Sequence, residues 1–187
     1  MKTILICDDD PIARMNLKYM LLELGFDEVL ECENGKKAVE MALVSFPDMI
    51  FLEVAIPEMD GITATKEIKK KFKIPILLQS NGYDSLTLKR AAESGTDALL
   101  TKPVRQQDLL PAMEIAIAHC DEVSDLKGRI NDLREVIENR KIIEKAKGIL
   151  MVKDRLSEAD AYRSMQKIAM DQRKSLRQVA DGIVREG

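Results

Sequence analysis

Tryptophan is absent from the 187-residue chain and aromatic residues make up only 4% of it. That argues against a platform of stacked rings for single-stranded nucleic acid. Cysteine is scarce as well: Cys7, Cys32 and Cys120 lie far apart, are odd in number and form no CxxC pair. This excludes a disulfide framework and a cysteine zinc site, and predicts a reducing, cytoplasmic setting. With His119 as the single histidine, neither a His-rich metal site nor a two-histidine relay can be built. The formal charge of −3 gives no global attraction for a polyanion, so any basic patch must be local. No apolar run approaches the roughly 18 residues of a membrane span. The start MKTILICDDD carries too short an apolar run for a signal peptide, so the expectation is a soluble protein with no membrane partner. What is present, 45% hydrophobic and 33% charged residues, suffices for one sizeable core, or one core plus a small appendage.

Short apolar runs at residues 3–7, 28–32, 49–53, 75–78 and 98–101 alternate with amphipathic stretches at 11–24, 36–45, 62–71 and 85–94. The pattern predicts an α/β fold, a doubly wound five-stranded parallel sheet over residues 1–120. From Asp108 to about Arg155 strand-like alternation stops, which predicts one long helix. Val123, Leu126, Ile130, Leu133 and Ile137 recur on it at spacings of three and four, a heptad seam of about two repeats suited to a homodimer. The plainer alternative is an amphipathic helix packed on its own domain. Two more helical stretches follow, broken near 154–157 and 174–175, and Ser157 stands three residues before Asp160 as an N-cap would. We therefore expect a coiled-coil linker helix over 121–141 and a small three-helix domain over 142–187, which borrows stability from a dimer or from the first domain. From Arg140 to Arg177 eleven basic residues stand against five acidic ones. That excess is enough for a phosphate-backbone footprint if it falls on one face, and otherwise marks a solvated helical surface.

In a parallel sheet, side chains that act on a ligand collect at the carboxyl ends of the strands. Asp8, Asp9 and Asp10 end the first strand, Glu53 the third, Ser80 the fourth, and Lys102 with Pro103 follows the fifth. Converging carboxylates suit Mg²⁺, a lysine pairs with an anionic oxygen and a hydroxyl bonds it, which together are the parts for holding a phosphoryl group. Asp10 is placed better as a helix cap than as a ligand.

These segments, ILICDDDP (4–11), PDMIFLEVAIPEMDG (47–61), IPILLQSNG (74–82) and SGTDALLTKP (94–103), resemble the receiver domain of bacterial two-component response regulators. The resemblance implies that Asp8 and Asp9 are the metal-binding acids, Ser80 the switch hydroxyl and Lys102 the phosphate-pairing lysine, with a sensor kinase or another protein as input partner. Two positions depart from the family pattern: Glu53 stands where the phosphate-accepting aspartate belongs, and Leu99 where the aromatic switch residue belongs. The extra methylene of Glu53 predicts no stable acyl phosphate and a carboxylate pushed toward Lys102 and Ser80. The tail, with IIEKAKGILM (142–151) and LSEADAYRSMQKIAMDQRKSLRQVA (156–180), resembles the ANTAR domain of transcription antiterminators. That resemblance implies binding of RNA stem-loops in nascent mRNA, with Lys145, Lys147, Gly148, Arg163, Lys167 and Arg173 as candidate contacts. Gly148 also reads as a site of close helix approach, and Ile149, Leu150, Met165 and Ile168 as core.

Two other classes compete. A Mg²⁺-dependent phosphoryl-transfer enzyme would use the same strand ends, but no second acid or histidine is placed for proton transfer and no Walker loop exists around Gly35-Lys36-Lys37. A DNA-binding regulator would use the basic helices, but none reads as a helix-turn-helix. The expectation is a regulator, not an enzyme.

Overall fold

The computed structural model describes residues 2–186. Its elements run β1 (Thr3–Cys7), α1 (Pro11–Glu23), β2 (Glu28–Cys32), α2 (Gly35–Ser45), β3 (Met49–Glu53), α3 (Gly61–Lys71), β4 (Ile76–Ser80), α4 (Ser85–Ser94), β5 (Ala98–Thr101), α5 (Gln106–Lys153), α6 (Glu158–Gln172) and α7 (Leu176–Glu186). The strands form one parallel sheet in the order β2-β1-β3-β4-β5. Helices cover both of its faces, so both sides of each central strand are apolar. Leu5, Cys7, Ile50, Leu52, Ile76 and Leu78 pack with Ala38, Ala42, Ile62, Ile68 and Ala91 of α2, α3 and α4. Their neighbours Ile4, Ile6, Phe51, Leu77 and Leu100 pack on the opposite side against Leu17 and Leu21 of α1 and Leu109, Met113 and Ala116 of α5.

β4 ends two residues later than the apolar run suggests. Gln79 and Ser80 are polar but stay in the ladder, Gln79 opposite Glu53 of β3 and Ser80 opposite Thr101 of β5. Each of α1, α2, α3 and α4 starts at a side-chain cap, Asp10, Asn34, Asp60 and Asp84, whose oxygen takes one of the helix's orphan N–H groups. Asp10 thus has the capping role its position predicts.

The chain divides into two compact units, residues up to Asp125 and residues from Leu126. In the second, Ala146 and Leu150 of α5, Ala161 and Met165 of α6, and Val179 and Ala180 of α7 form a small core. Ile168 packs partly against it, whereas Ile149 is half-exposed. The Ser157 hydroxyl accepts from the Asp160 N–H and caps α6 as its spacing predicts. No helix among the described residues is long and apolar enough to cross a membrane.

Candidate functional site

The parallel register brings the ends of β1, β3, β4 and β5 to one edge of the sheet. There the Lys102 ammonium stands 2.6 Å from Asp8 Oδ2 and 2.6 Å from Glu53 Oε2. Both carboxylates are buried, at 1% and 3% exposure. Asp8 Oδ1 accepts from the Asp10 N–H and Glu53 Oε1 from the Ala55 N–H. Glu53 Oε2 meets the ammonium as a close ion pair but lacks a well-aligned hydrogen bond. Burial alone would lower the Lys102 pKa; Asp8 and Glu53 outweigh it and hold the ammonium charged beyond the usual lysine range. Glycine is obligatory at position 61: a Cβ there would lie 2.1 Å from the Glu53 carbonyl oxygen. The start of α3 is thereby pressed against Glu53.

Glu53 reaches Lys102 as its length predicts, but the Ser80 hydroxyl is turned away and donates to the Gly82 carbonyl at 2.9 Å. Leu99 alternates with the buried Leu100 and lies on the exposed side of β5. Tyr83, which the sequence reading passed over, bonds across the sheet edge: its hydroxyl donates to the Leu100 carbonyl at 2.7 Å. Burial, with the Glu53 charge adding, pushes its pKa up to about 12. Gln79 was also passed over; it is buried, and its amide nitrogen has no partner among the described residues.

The donor types at this edge suit a hard cation, but Lys102 occupies the point on which Asp8 and Glu53 converge, and Asp9 is exposed. Among the described residues no group of three His, Cys, Asp or Glu side chains is placed to hold a metal. As placed, the Lys102 ammonium holds the two buried carboxylates, Asp8 and Glu53, that a cation at this edge would use.

In the second unit the candidate contacts separate. Lys147 is buried, with its ammonium 2.8 Å from Glu144 and 2.6 Å from Glu158. Those bonds, Glu144 first, raise its pKa and join α5 to the start of α6. Lys145 and Gly148 are exposed and, with Ile149, Val152, Lys153 and Glu186, line a cavity of about 580 Å³. Arg163 and Lys167 are exposed on α6, and Arg173 caps that helix with a left-handed backbone, φ 51°. Close helix approach is not the reason for Gly148, since an added Cβ would meet nothing within 4 Å. Leu126, Ile130, Leu133 and Ile137 are 48–64% exposed and Val123 is half-buried.

The receiver-type edge and the separate basic helical unit both have counterparts among known proteins. The family model of the response regulator receiver domain matches residues 4–114, and that of the ANTAR domain residues 131–184. The chain belongs to the response regulators. It is 37% identical over 183 residues, 98% of its own length and 89% of the relative's, to the transcriptional regulatory protein PdtaR of Mycobacterium tuberculosis. It is 38% identical over 113 residues to the chemotaxis protein CheY of Bacillus subtilis, 59% of this chain and 92% of the relative. Among solved structures, the receiver domain of a histidine kinase from Syntrophus aciditrophicus aligns with a TM-score of 0.58 at 30% identity, covering 63% of this chain and 91% of that one. This response regulator thus joins a receiver to an ANTAR domain, an architecture of transcriptional regulators and not of an enzyme family.

Proposed function

We propose that this response regulator is a transcription antiterminator that binds stem-loop RNA through residues 142–187. In this reading it pairs with a second copy through the 121–141 seam and receives its input in residues 1–120 without phosphorylation at Glu53. The observation that carries the RNA reading is a pair of positions where helix stability has been given up with no gain in packing. Gly148 sits inside α5, where alanine would be about 1 kcal/mol more favourable, and no neighbour requires it to be small. Arg173 holds the left-handed cap that glycine fills most readily. Each position exposes what an RNA backbone needs, close approach to a helix in one case and a guanidinium in the other, and Lys145, Lys153 and Lys167 supply further positive charge. Lys147 acts in this reading by joining α6 to α5, not by touching phosphate. The Glu53–Lys102 ion pair supports the input reading, because the lysine that would receive a phosphoryl oxygen already holds a carboxylate.

The test is binding of the full chain to a tandem stem-loop RNA and to duplex DNA across a salt series. The RNA should bind preferentially, with affinity falling steeply as salt rises. Replacing Lys145, Lys167 or Arg173 with Ala should each reduce the salt slope by about one. Equal binding to duplex DNA, or slopes unchanged in all three variants, would refute the proposal. Treatment with acetyl phosphate and Mg²⁺ should add no phosphoryl mass at Glu53.

A further inference from the structure

Far apart in the chain, Cys7 and Cys32 are register partners on β1 and β2. Neighbouring strands run about 4.8 Å apart, inside the roughly 4.4–6.8 Å that separates the Cα atoms of disulfide-bonded cysteines. Both side chains belong to the apolar cluster beneath α2 and α3, so they share one face of the sheet. The sulfurs lie close enough that each is the foremost influence on the other's proton, pushing the Cys7 thiol up and holding the Cys32 thiol down. Cys7 is fully buried, but β2 is the edge of the sheet. Cys32, 6% exposed, lines a cavity of about 310 Å³ together with Arg14 and Lys37. The pair thus has an inner member and an outer one beside a space that admits a molecule as small as hydrogen peroxide. The third cysteine is placed differently: Cys120 on α5 is buried with its Sγ 3.6 Å from Lys69 Nζ.

We propose that Cys7 and Cys32 form a reversible oxidation site that responds to a hydroperoxide. The Cys32 sulfur takes an oxygen from the peroxide and becomes a sulfenic acid, releasing an alcohol or, from hydrogen peroxide, water. The Cys7 sulfur then attacks the Cys32 sulfur, the S–O bond breaks, and the hydroxyl leaves as water with the Cys7 proton. The two thiols lose two electrons, the peroxide gains them, and a thiol reductant reverses the bond. In a reducing compartment such a disulfide is transient and reports oxidant. It also acts on the strand ends. The Cys7 thiol donates to the Asn34 carbonyl at 3.2 Å, a contact that the disulfide removes. Asn34 caps α2, and its amide donates to Glu58 in the loop after β3. The inference stands whether or not the tail binds RNA.

The reduced full chain is treated with hydrogen peroxide, unfolded in N-ethylmaleimide and mapped by mass spectrometry. Peptides joined through Cys7 and Cys32, lighter by two hydrogens than the separate pair, should appear and should vanish with dithiothreitol, while Cys120 carries the maleimide. In Cys7→Ser the sulfenic acid has no resolving thiol, so dimedone should label Cys32 at least about tenfold more than in the wild type. The oxidised wild type should melt at a higher temperature than the reduced one, because an unstrained bond restricts the unfolded chain. The absence of a Cys7–Cys32 linkage under conditions that fully oxidise glutathione would overturn the proposal. So would a linkage through Cys120 in its place, a lack of dimedone on Cys32 in Cys7→Ser, or a lower melting temperature on oxidation.

Discussion

Both compact units hold one ammonium between two carboxylates, but in opposite surroundings. In the receiver the carboxylates of Asp8 and Glu53 are almost wholly buried around Lys102; in the tail Glu144 and Glu158 are 53% and 69% exposed around Lys147. The same arrangement therefore has unequal consequences. Removing Lys102 strands two buried charges, whereas removing Lys147 lets its partners turn to water. Burial of the acids, and not the number of ion pairs, decides how much each cluster matters.

The sharpest way to break this comparison is to delete both cations. Lys102→Met should cost about 3–5 kcal/mol at neutral pH, and Lys147→Met much less, as read by urea denaturation followed by circular dichroism. Equal losses would show that the two clusters are equivalent. The second contrast concerns the cores. Met165 lies at the centre of a core of six buried residues, so Met165→Ala should cost about 2–5 kcal/mol. That loss should melt the tail while leaving the sheet folded, which proteolysis with mass mapping would reveal. A cut pattern spread evenly over both units would show that they unfold together.

The third prediction is a pH dependence confined to the receiver. The folded pKa of Lys102 lies above its ordinary value of 10.5, so its stabilisation is complete below that pH and is lost as pH rises through the folded pKa. The gap in urea midpoint between wild type and Lys102→Met should stay constant from neutral pH up to about 10 and close at higher pH. A gap that closes below pH 9 would contradict the assignment. The smallest effect is expected at Gly148. Gly148→Ala should stabilise the tail by about 1 kcal/mol while weakening RNA binding; a gain in both would remove the reason given for the glycine.

The sheet was legible because its strands are buried on both faces and so appear as unbroken apolar runs. The convergence of Asp8, Glu53 and Lys102 followed from topology alone, since every parallel strand ends at the same edge. The positions that were missed depend on features that no run of residue types encodes. Gln79 and Ser80 extend β4 although they are polar, because neighbouring strands supply backbone partners, β3 and β5 for Gln79 and β5 for Ser80. The direction of the Ser80 hydroxyl is set by the turn at Gly82, and the reach of Tyr83 by the loop after β4. Lys147 shows the limit of counting charge along a chain: every lysine adds one to the sum, and only packing separates the one held by glutamates from those facing water.

Gly61 makes position 53 one at which the side chain can change without the scaffold. The backbone of residue 53 lies against this glycine, so an exchange between glutamate and aspartate would be confined to one side chain, with the scaffold around it kept intact. Aspartate and glutamate codons differ only at their third base. A lineage carrying this protein therefore stands one nucleotide away from an aspartate at the same fixed position, and relatives with and without that residue can share a single architecture.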